Sequence, residues 1–246
     1  MTNIFNQDKT RMYTVAATGA ILIVVIFVAI MYYQYRKANM DLQKPLGQTI
    51  KLPQPIYDSN TSIEETLLAR RSIRSYRQAH LSLSDISQLL WAAQGITHPG
   101  GYRTAPSAGA LYPLELYLLA GNINDFPPGL YKYIPDDHMI LQMYSGDRRA
   151  ELSQAALNQE AIMDAPAIII ISAVYKRTTI KYGERGIQYV HMEVGHTAQN
   201  IYLQAASLGL GTVFIGAFDN MQVKNALDIM EAEEPLGIMP VGYPKR

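Results

Sequence analysis

The sequence predicts an α+β fold, a sheet sandwiched by helices, on three observations. Helical and strand patterns alternate irregularly, with no repeating βαβ unit and no internal repeat. Residues 167–174 form an almost unbroken run of aliphatic, mostly β-branched residues, the pattern of a central strand covered on both faces. Residues 187–208 read as a long helix that is apolar nearly all round and is closed by Gly209, so it belongs in a large interface.

The other elements follow in order. Ser62 with Glu65 three residues later is a capping box, and a helix starts near Ile63. Leu83, Ile86, Leu89, Leu90 and Ala93 recur at helical spacing between Ser82, a cap, and Gly95, a stop. Residues 114–120 read as a buried strand, and 129–134 with 139–144 as a hairpin around Pro135-Asp136-Asp137-His138. Residues 150–158 look helical. After the central strand and the long helix, a buried strand is expected over 212–215, a short helix near 222–230 and a last strand around 238–241. Glu193, His196, Gln199, Asn200 and Gln204 interrupt the apolar face of the long helix, and small residues such as Gly195 and Ala198 permit close helix approach. Dimerisation through this helix is the natural expectation.

Before the globular part, residues 12–35 carry no charge. A run of roughly 20 apolar residues is what a bilayer core requires, and Tyr32, Tyr33 and Tyr35 fit an interfacial aromatic belt. A cleaved signal peptide competes, but it needs a small-residue cleavage site where Met31-Tyr32-Tyr33-Gln34-Tyr35 stands. The expectation is a tail and transmembrane anchor over 1–35, a linker over 36–60 containing Pro45, Pro53 and Pro55, and one domain over 61–246. Lys9 and Arg11 precede the span while Arg36, Lys37 and Lys44 follow it, which places the large C-terminal part in the cytoplasm.

Composition narrows the chemistry. A net charge of zero gives no global field for nucleic acid. The absence of cysteine excludes disulfides, iron–sulfur clusters and cysteine nucleophiles, so redox chemistry would need a bound cofactor. No metal site is expected: His191 and His196 are five residues apart and point about 140° from each other on a helix. Gly209-Leu210-Gly211 follows a helix and precedes a strand, the reverse of a dinucleotide fingerprint. Ser107 lacks the leading glycine of a nucleophile elbow.

The remaining signals point to a ligand. Arg70-Arg71-Ser72-Ile73-Arg74-Ser75-Tyr76 crowds three guanidinium groups and two hydroxyls at a helix end, which suits a phosphate; the alternative is a solvated basic turn. The small residues of 103–113 and of Gly216-Ala217-Phe218 would let backbone N–H groups approach a planar ring.

Together these segments resemble the nitroreductase family, and within it the SagB-type, azoline-dehydrogenase-like branch. The resemblance is carried by 70–76, Leu89-Leu90-Trp91-Ala92-Ala93-Gln94-Gly95, 103–115, Lys181-Tyr182-Gly183-Glu184-Arg185-Gly186, Glu193 to His196, Gln199-Asn200, Gly209-Leu210-Gly211, Gly216-Ala217-Phe218 and Pro240-Val241-Gly242-Tyr243-Pro244. It covers nearly all of the chain after the linker. It implies a central, antiparallel-dominated sheet flanked by helices, and a homodimer with FMN at the subunit interface. Arg70, Ser72 and Arg74 would hold the phosphate and ribityl chain, with Arg71 contributing through its backbone. Pro106, Ser107, Ala108 and Gly109 would approach the ring from the partner subunit, and Gly216 and Ala217 would lie near flavin N5. Gln159, Lys245 and Arg246 are further cofactor contacts. In peptide-modifying members of the branch a Lys-Tyr pair removes protons, which makes Lys181 and Tyr182 the catalytic candidates, with Arg177 and Arg185 as cations that would favour a neutral lysine. The implied function is a membrane-anchored, FMN-dependent oxidoreductase working by a ping-pong cycle. It would either dehydrogenate a small-molecule or peptide substrate or carry hydride from NAD(P)H to a quinone or nitroaromatic acceptor. The alternative is a non-catalytic, membrane-tethered flavin-binding or interaction module.

Overall fold

The structure, a computed structural model, describes Met31 and residues 47–245. The anchor expected over 1–35 therefore lies, Met31 apart, outside the described residues, as does Arg246. Among the described residues no helix is long and apolar enough to cross a membrane.

The strands are β1 Thr49–Lys51, β2 Leu114–Ala120, β3 Gly129–Ile134, β4 Met139–Ser145, β5 Ala167–Ala173, β6 Gly211–Thr212 and β7 Glu234–Gly242. They form one sheet in the order β1-β4-β3-β2-β5-β7-β6, and every neighbouring pair is antiparallel. The helices are α1 Ile63–Ala69, α2 Leu83–Gln94, α3 Arg149–Ala155, α4 Glu160–Asp164, α5 Lys176–Tyr182, α6 Arg185–Ser207 and α7 Asn220–Leu227.

The period of two along a strand divides the core. Ala167, Ile169, Ile171 and Ala173 of β5 pack with Leu114, Leu116 and Leu118 of β2 under α2 and α6. Ile168 and Ile170 point the other way, toward α3, α4 and α7. Both faces are covered, which is why this strand tolerates four consecutive isoleucines; each fully buried one stabilises by roughly 1.5–3 kcal/mol.

Local signals set the helix ends. Ser62 and Glu65 form the expected capping box, and Ser82 with Asp85 forms a second. At the end of α6, Gly209 takes φ +68° while the Leu210 amide reaches back to the Ala205 carbonyl (2.8 Å), a Schellman closure.

Several elements differ from expectation, among them the unexpected short helix α4. The strand expected over 212–215 is only Gly211–Thr212, because the Phe214 amide donates to the Tyr202 hydroxyl (2.7 Å) and Ile215 makes a single bridge to Ile238. The last strand starts four residues early, at Glu234, where a register shift opposite Ile171 and Ser172 accommodates Pro235. Lys176–Tyr182 is a helix, α5. Within the span expected as a linker, β1 pairs with β4, Leu52 is buried, and the Gln88 side chain grips both backbone groups of Ile56.

The polar residues of α6 serve packing inside the chain more than a dimer seam. Asn200 donates to the Ala92 carbonyl (3.0 Å), Gln204 accepts from Gln88 (3.2 Å), and Glu193 is buried. His191 and His196 are exposed in the single chain, and the His191 ring lies 2.5 Å from the Tyr175 hydroxyl. The apolar residues left uncovered here are Ile187 and Met192 on α6 and Ile180 on α5.

Candidate functional site

The sequence-marked residues fall into two groups, one near each end of α6. The first is built on the edge strand β6. The chain leaves α1 at Arg70 and runs along that edge, with the Ile73 amide donating to the Thr212 carbonyl (2.9 Å). The C-terminal tail closes the other side: the Arg77 amide donates to the Tyr243 carbonyl and the Lys245 amide to the Ser75 carbonyl, both at 3.0 Å. Tyr76 locks the segment from inside, its hydroxyl donating to the carbonyls of Ile73 (2.8 Å) and Pro240 (3.0 Å).

Arg70, Ser72, Arg74 and Lys245 thus share one edge. The Arg70 guanidinium lies 5.3 Å from the centre of the Tyr202 ring, and the Ser72 hydroxyl is 3.1 Å from the Tyr202 hydroxyl. Arg71 is turned back on its own chain, donating to the carbonyls of Leu68 and Arg70. Among the described residues none of Arg70, Arg71, Arg74 and Lys245 pairs with a carboxylate. A cation group without internal counter-ions fits an anionic ligand of the phosphate type. Ala217 follows on the same side of the sheet, its carbonyl accepting from Gln159 (3.0 Å); a Cβ on Gly216 would meet only Phe214, at 3.5 Å. The chain's own packing does not demand a glycine at 216, so the open backbone there suits the close approach of a flat ring.

The second group is the turn from Ser107 to Tyr112. Gly109, Ala110 and Tyr112 all have positive φ (+63°, +54° and +45°), and a tyrosine in that region is strained by about 1–3 kcal/mol. The strain is held by contacts from several sides. The Tyr112 amide donates to the Ser107 hydroxyl (2.9 Å), and its ring carries the Arg103 guanidinium at 4.4 Å. The Tyr112 hydroxyl accepts from the Arg103 amide (3.2 Å), and its carbonyl accepts from Arg177 (3.0 Å).

Over this turn sits the pair marked by the sequence. A Cβ added to Gly109 would lie 2.7 Å from the Tyr182 hydroxyl and 3.0 Å from Lys181 Nζ. Residues 72 positions apart therefore converge, because α5 presses directly on the first turn of α6. Gly186 allows it: a Cβ there would stand 2.9 Å from the Thr179 Cα. Arg177 braces α5 from below through Glu115, which continues to Lys132 (3.2 Å) and on to Glu233 (2.8 Å). Glu233 is wholly buried and also accepts from Tyr117 (2.9 Å) and Ser172 (2.8 Å). Burial, with the Glu233 charge beside it, pushes the Tyr117 phenol far up. Arg177 is thus compensated by Glu115 and is not a free cation acting on Lys181, while Arg185 lies 5.6 Å from the Tyr189 ring.

Within one chain the two groups stay apart: Glu193, behind the turn, and Tyr202, behind the arginines, are separated by about 14 Å of rise along α6. A cavity of about 560 Å³ between residues 54–63, α2 and α6 is lined by Tyr57, Trp91 and Asn200 and meets the 103–113 loop at Thr104, but neither the arginine edge nor Lys181 and Tyr182 line it. Among the described residues no group of three or more His, Cys, Asp or Glu is arranged to hold a metal ion. Tyr202 went unmarked and has no local sequence signal, since it acts through neighbours remote in the chain. Arg103, Tyr112 and Gly186 lay in marked segments, but their parts in holding the turn and seating α5 come from contacts that only the fold makes.

Comparison with known proteins adds to this geometry. The model of the "Nitroreductase family" matches residues 67–243. A nitroreductase-like protein of Methanocaldococcus jannaschii, MJ1384, is 46% identical over 197 residues, covering 80% of this chain and 98% of that protein. The microcin B17-processing protein McbC of Escherichia coli is 28% identical over 151 residues, covering 58% of this chain and 56% of McbC. Among solved structures, a nitroreductase-like protein of Ralstonia eutropha superposes with a TM-score of 0.70 at 27% identity, covering 82% of this chain and 95% of that one.

Proposed function

The chain belongs to the nitroreductase family, and from that premise we propose that it is an FMN-dependent oxidoreductase of the SagB type, working as a homodimer with FMN at its interface. The observation that carries this reading is the division of the site. Unpaired cations stand at one end of α6, and a strained turn under Lys181 and Tyr182 stands at the other, so each chain offers half of two sites. The exposed Ile180, Ile187 and Met192 give a second copy an apolar surface to cover.

When bound, FMN supplies hydride acceptance and return, and the protein supplies position and electrostatics. Arg70, Ser72, Arg74 and Lys245 hold the phosphate and ribityl chain, Arg71 gives its backbone, and Gln159 orients the Gly216-Ala217 backbone. Across the interface, the backbone of 107–109 borders the ring. Lys181 Nζ and the Tyr182 hydroxyl stand where a proton is exchanged with the substrate. Donor and acceptor use one pocket in turn, a ping-pong cycle, with NAD(P)H as a candidate donor. Sequence similarity to McbC, together with the Lys181–Tyr182 pair, favours a peptide-derived or related small-molecule substrate. We also propose that residues 1–35 anchor the chain, on the uncharged run of 12–35, and that the folded part that follows lies in the cytoplasm, on Arg36, Lys37 and Lys44 beside that run.

The test uses the full-length chain, extracted from membranes and purified in mild detergent. The expected result is a yellow dimer that releases one FMN per chain on heating and turns over with NAD(P)H or a reducing substrate. A folded dimer that stays colourless with added FMN would overturn the reading. Extraction by alkaline carbonate alone would sink the anchor.

A further inference from the structure

A buried acid behind the strained turn takes no part in the reading above. Glu193 faces inward from α6 at 2% exposure, and its Oε1 has no hydrogen-bond partner. Nε of the neighbouring Arg103 is likewise buried and unpartnered. The surrounding groups come from each element packed there. Gln94 of α2 donates to Thr197 of α6 (2.9 Å) and accepts from Arg103 (3.0 Å), and Ser107 comes from the turn. Asp136, Glu115 and Glu193 itself are the acids that act on Arg103. Burial pushes the Glu193 carboxyl up to about 7, against the opposing pull of the Ser107 hydroxyl, the Arg103 charge and the Gln94 amide.

We propose that Glu193 is a positioning residue: from behind the 107–112 turn it sets, through Ser107 and Arg103, how Gly109 is held against Lys181 Nζ and the Tyr182 hydroxyl. The proposal rests on the reading of Lys181 and Tyr182 given above. The turn is gripped at both ends by groups that sense this acid. Ser107 accepts from the Tyr112 amide, which leaves its own proton for Glu193. Arg103, whose charge acts on Glu193, is stacked on the Tyr112 ring. Ionised, Glu193 draws both the Ser107 proton and the Arg103 guanidinium; neutral, it releases Arg103 to Gln94 and Tyr112. One proton on a side chain that never meets the substrate thereby changes the seat of the two that do.

The experiment follows the Gly109 amide in ¹⁵N-glycine-labelled full-length protein without added flavin, between pH 5 and 9. The expected result is a step with a midpoint near 7 that is absent in Glu193→Gln and retained, with a moved midpoint, in Glu193→Asp. Stability gives a second reading. Because the folded value lies above the ordinary 4.5, the native state binds more protons between these limits, and stability falls as pH rises through that window. Glu193→Gln should therefore match the wild type in Tm at pH 4.5 and exceed it above pH 7. In the loaded enzyme, wild-type kcat should bend near pH 7 while that of Glu193→Gln stays level, with KM unchanged in both. A Gly109 amide without a step in the wild type, or a step that survives in Glu193→Gln, overturns the proposal. A Glu193-dependent step in a protein that binds no FMN sustains it while ending the oxidoreductase reading.

Discussion

The arginine edge and the strained turn are built on opposite principles. At the edge, Arg70, Arg74 and Lys245 stand without carboxylate partners on a strand border, held by backbone hydrogen bonds that any side chain would permit. At the turn, three positive-φ residues are gripped from several elements at once. The first arrangement leaves charge available for a ligand. The second spends its contacts on geometry. Changes at the edge should therefore cost binding and little stability, and changes under the turn should cost stability or rate and little binding.

The strongest way to break this contrast lies beneath the turn. Glu233→Ala removes the buried acceptor of Lys132, Tyr117 and Ser172 and leaves the Lys132 ammonium to Glu115 alone, at a cost of about 3–5 kcal/mol in chemical denaturation. A loss below 1 kcal/mol would mean that the buried chain of charges does not brace α5. Next comes the edge. Arg70→Ala with Arg74→Ala should weaken FMN binding by about a hundredfold or more, since each charged hydrogen bond lost is worth roughly 1.5–3 kcal/mol. Tm of the flavin-free protein should stay nearly unmoved, and an equal fall in Tm would erase the distinction between the two regions.

Gly109→Ala sharpens the comparison from the other side. Its methyl would displace the far ends of Lys181 and Tyr182 and sit at φ +63°, so kcat should drop by about tenfold, or 1.4 kcal/mol. Unchanged kcat would detach the pair from catalysis. The smallest effect is expected at His138, which lies 2.7 Å from the Ser87 hydroxyl and 3.0 Å from the Pro53 carbonyl. Burial pushes this imidazole down, so the unfolded chain takes up its proton first. The stability it contributes is complete above pH 6.5 and is lost as pH falls through and below that value. Denaturation midpoints across pH 5 to 8, compared between wild type and His138→Gln, measure it; parallel curves would remove His138 from the account.

What was legible in the sequence follows from length and repetition. α2, α6, β2, the β3–β4 hairpin and β5 each repeat a period often enough to be read, and a capping box at Ser62 and a cap at Ser82 marked two helix starts. β1, α4 and α5 span three to seven residues, too short to show a period, and exist because larger elements give them a surface. The end of the strand near 212 was illegible because a side-chain hydroxyl, Tyr202, takes the amide that the ladder would have used.

The site divides in the same way. Arg70, Ser72 and Arg74 are neighbours along the chain, so their chemistry could be read as a word. Gly109 meets Lys181 and Tyr182 only because Gly186 lets α5 close on α6, and Glu193 acquires its surroundings only once α2, the turn and α6 have packed. The sequence by itself determined the sheet-and-helix class, the central strand, the long helix and the cationic segment, all of which are local patterns of side-chain type. The tertiary structure decided which residues face one another and which acid loses its water. Those properties depend on burial and on contacts between remote segments, which no local pattern encodes.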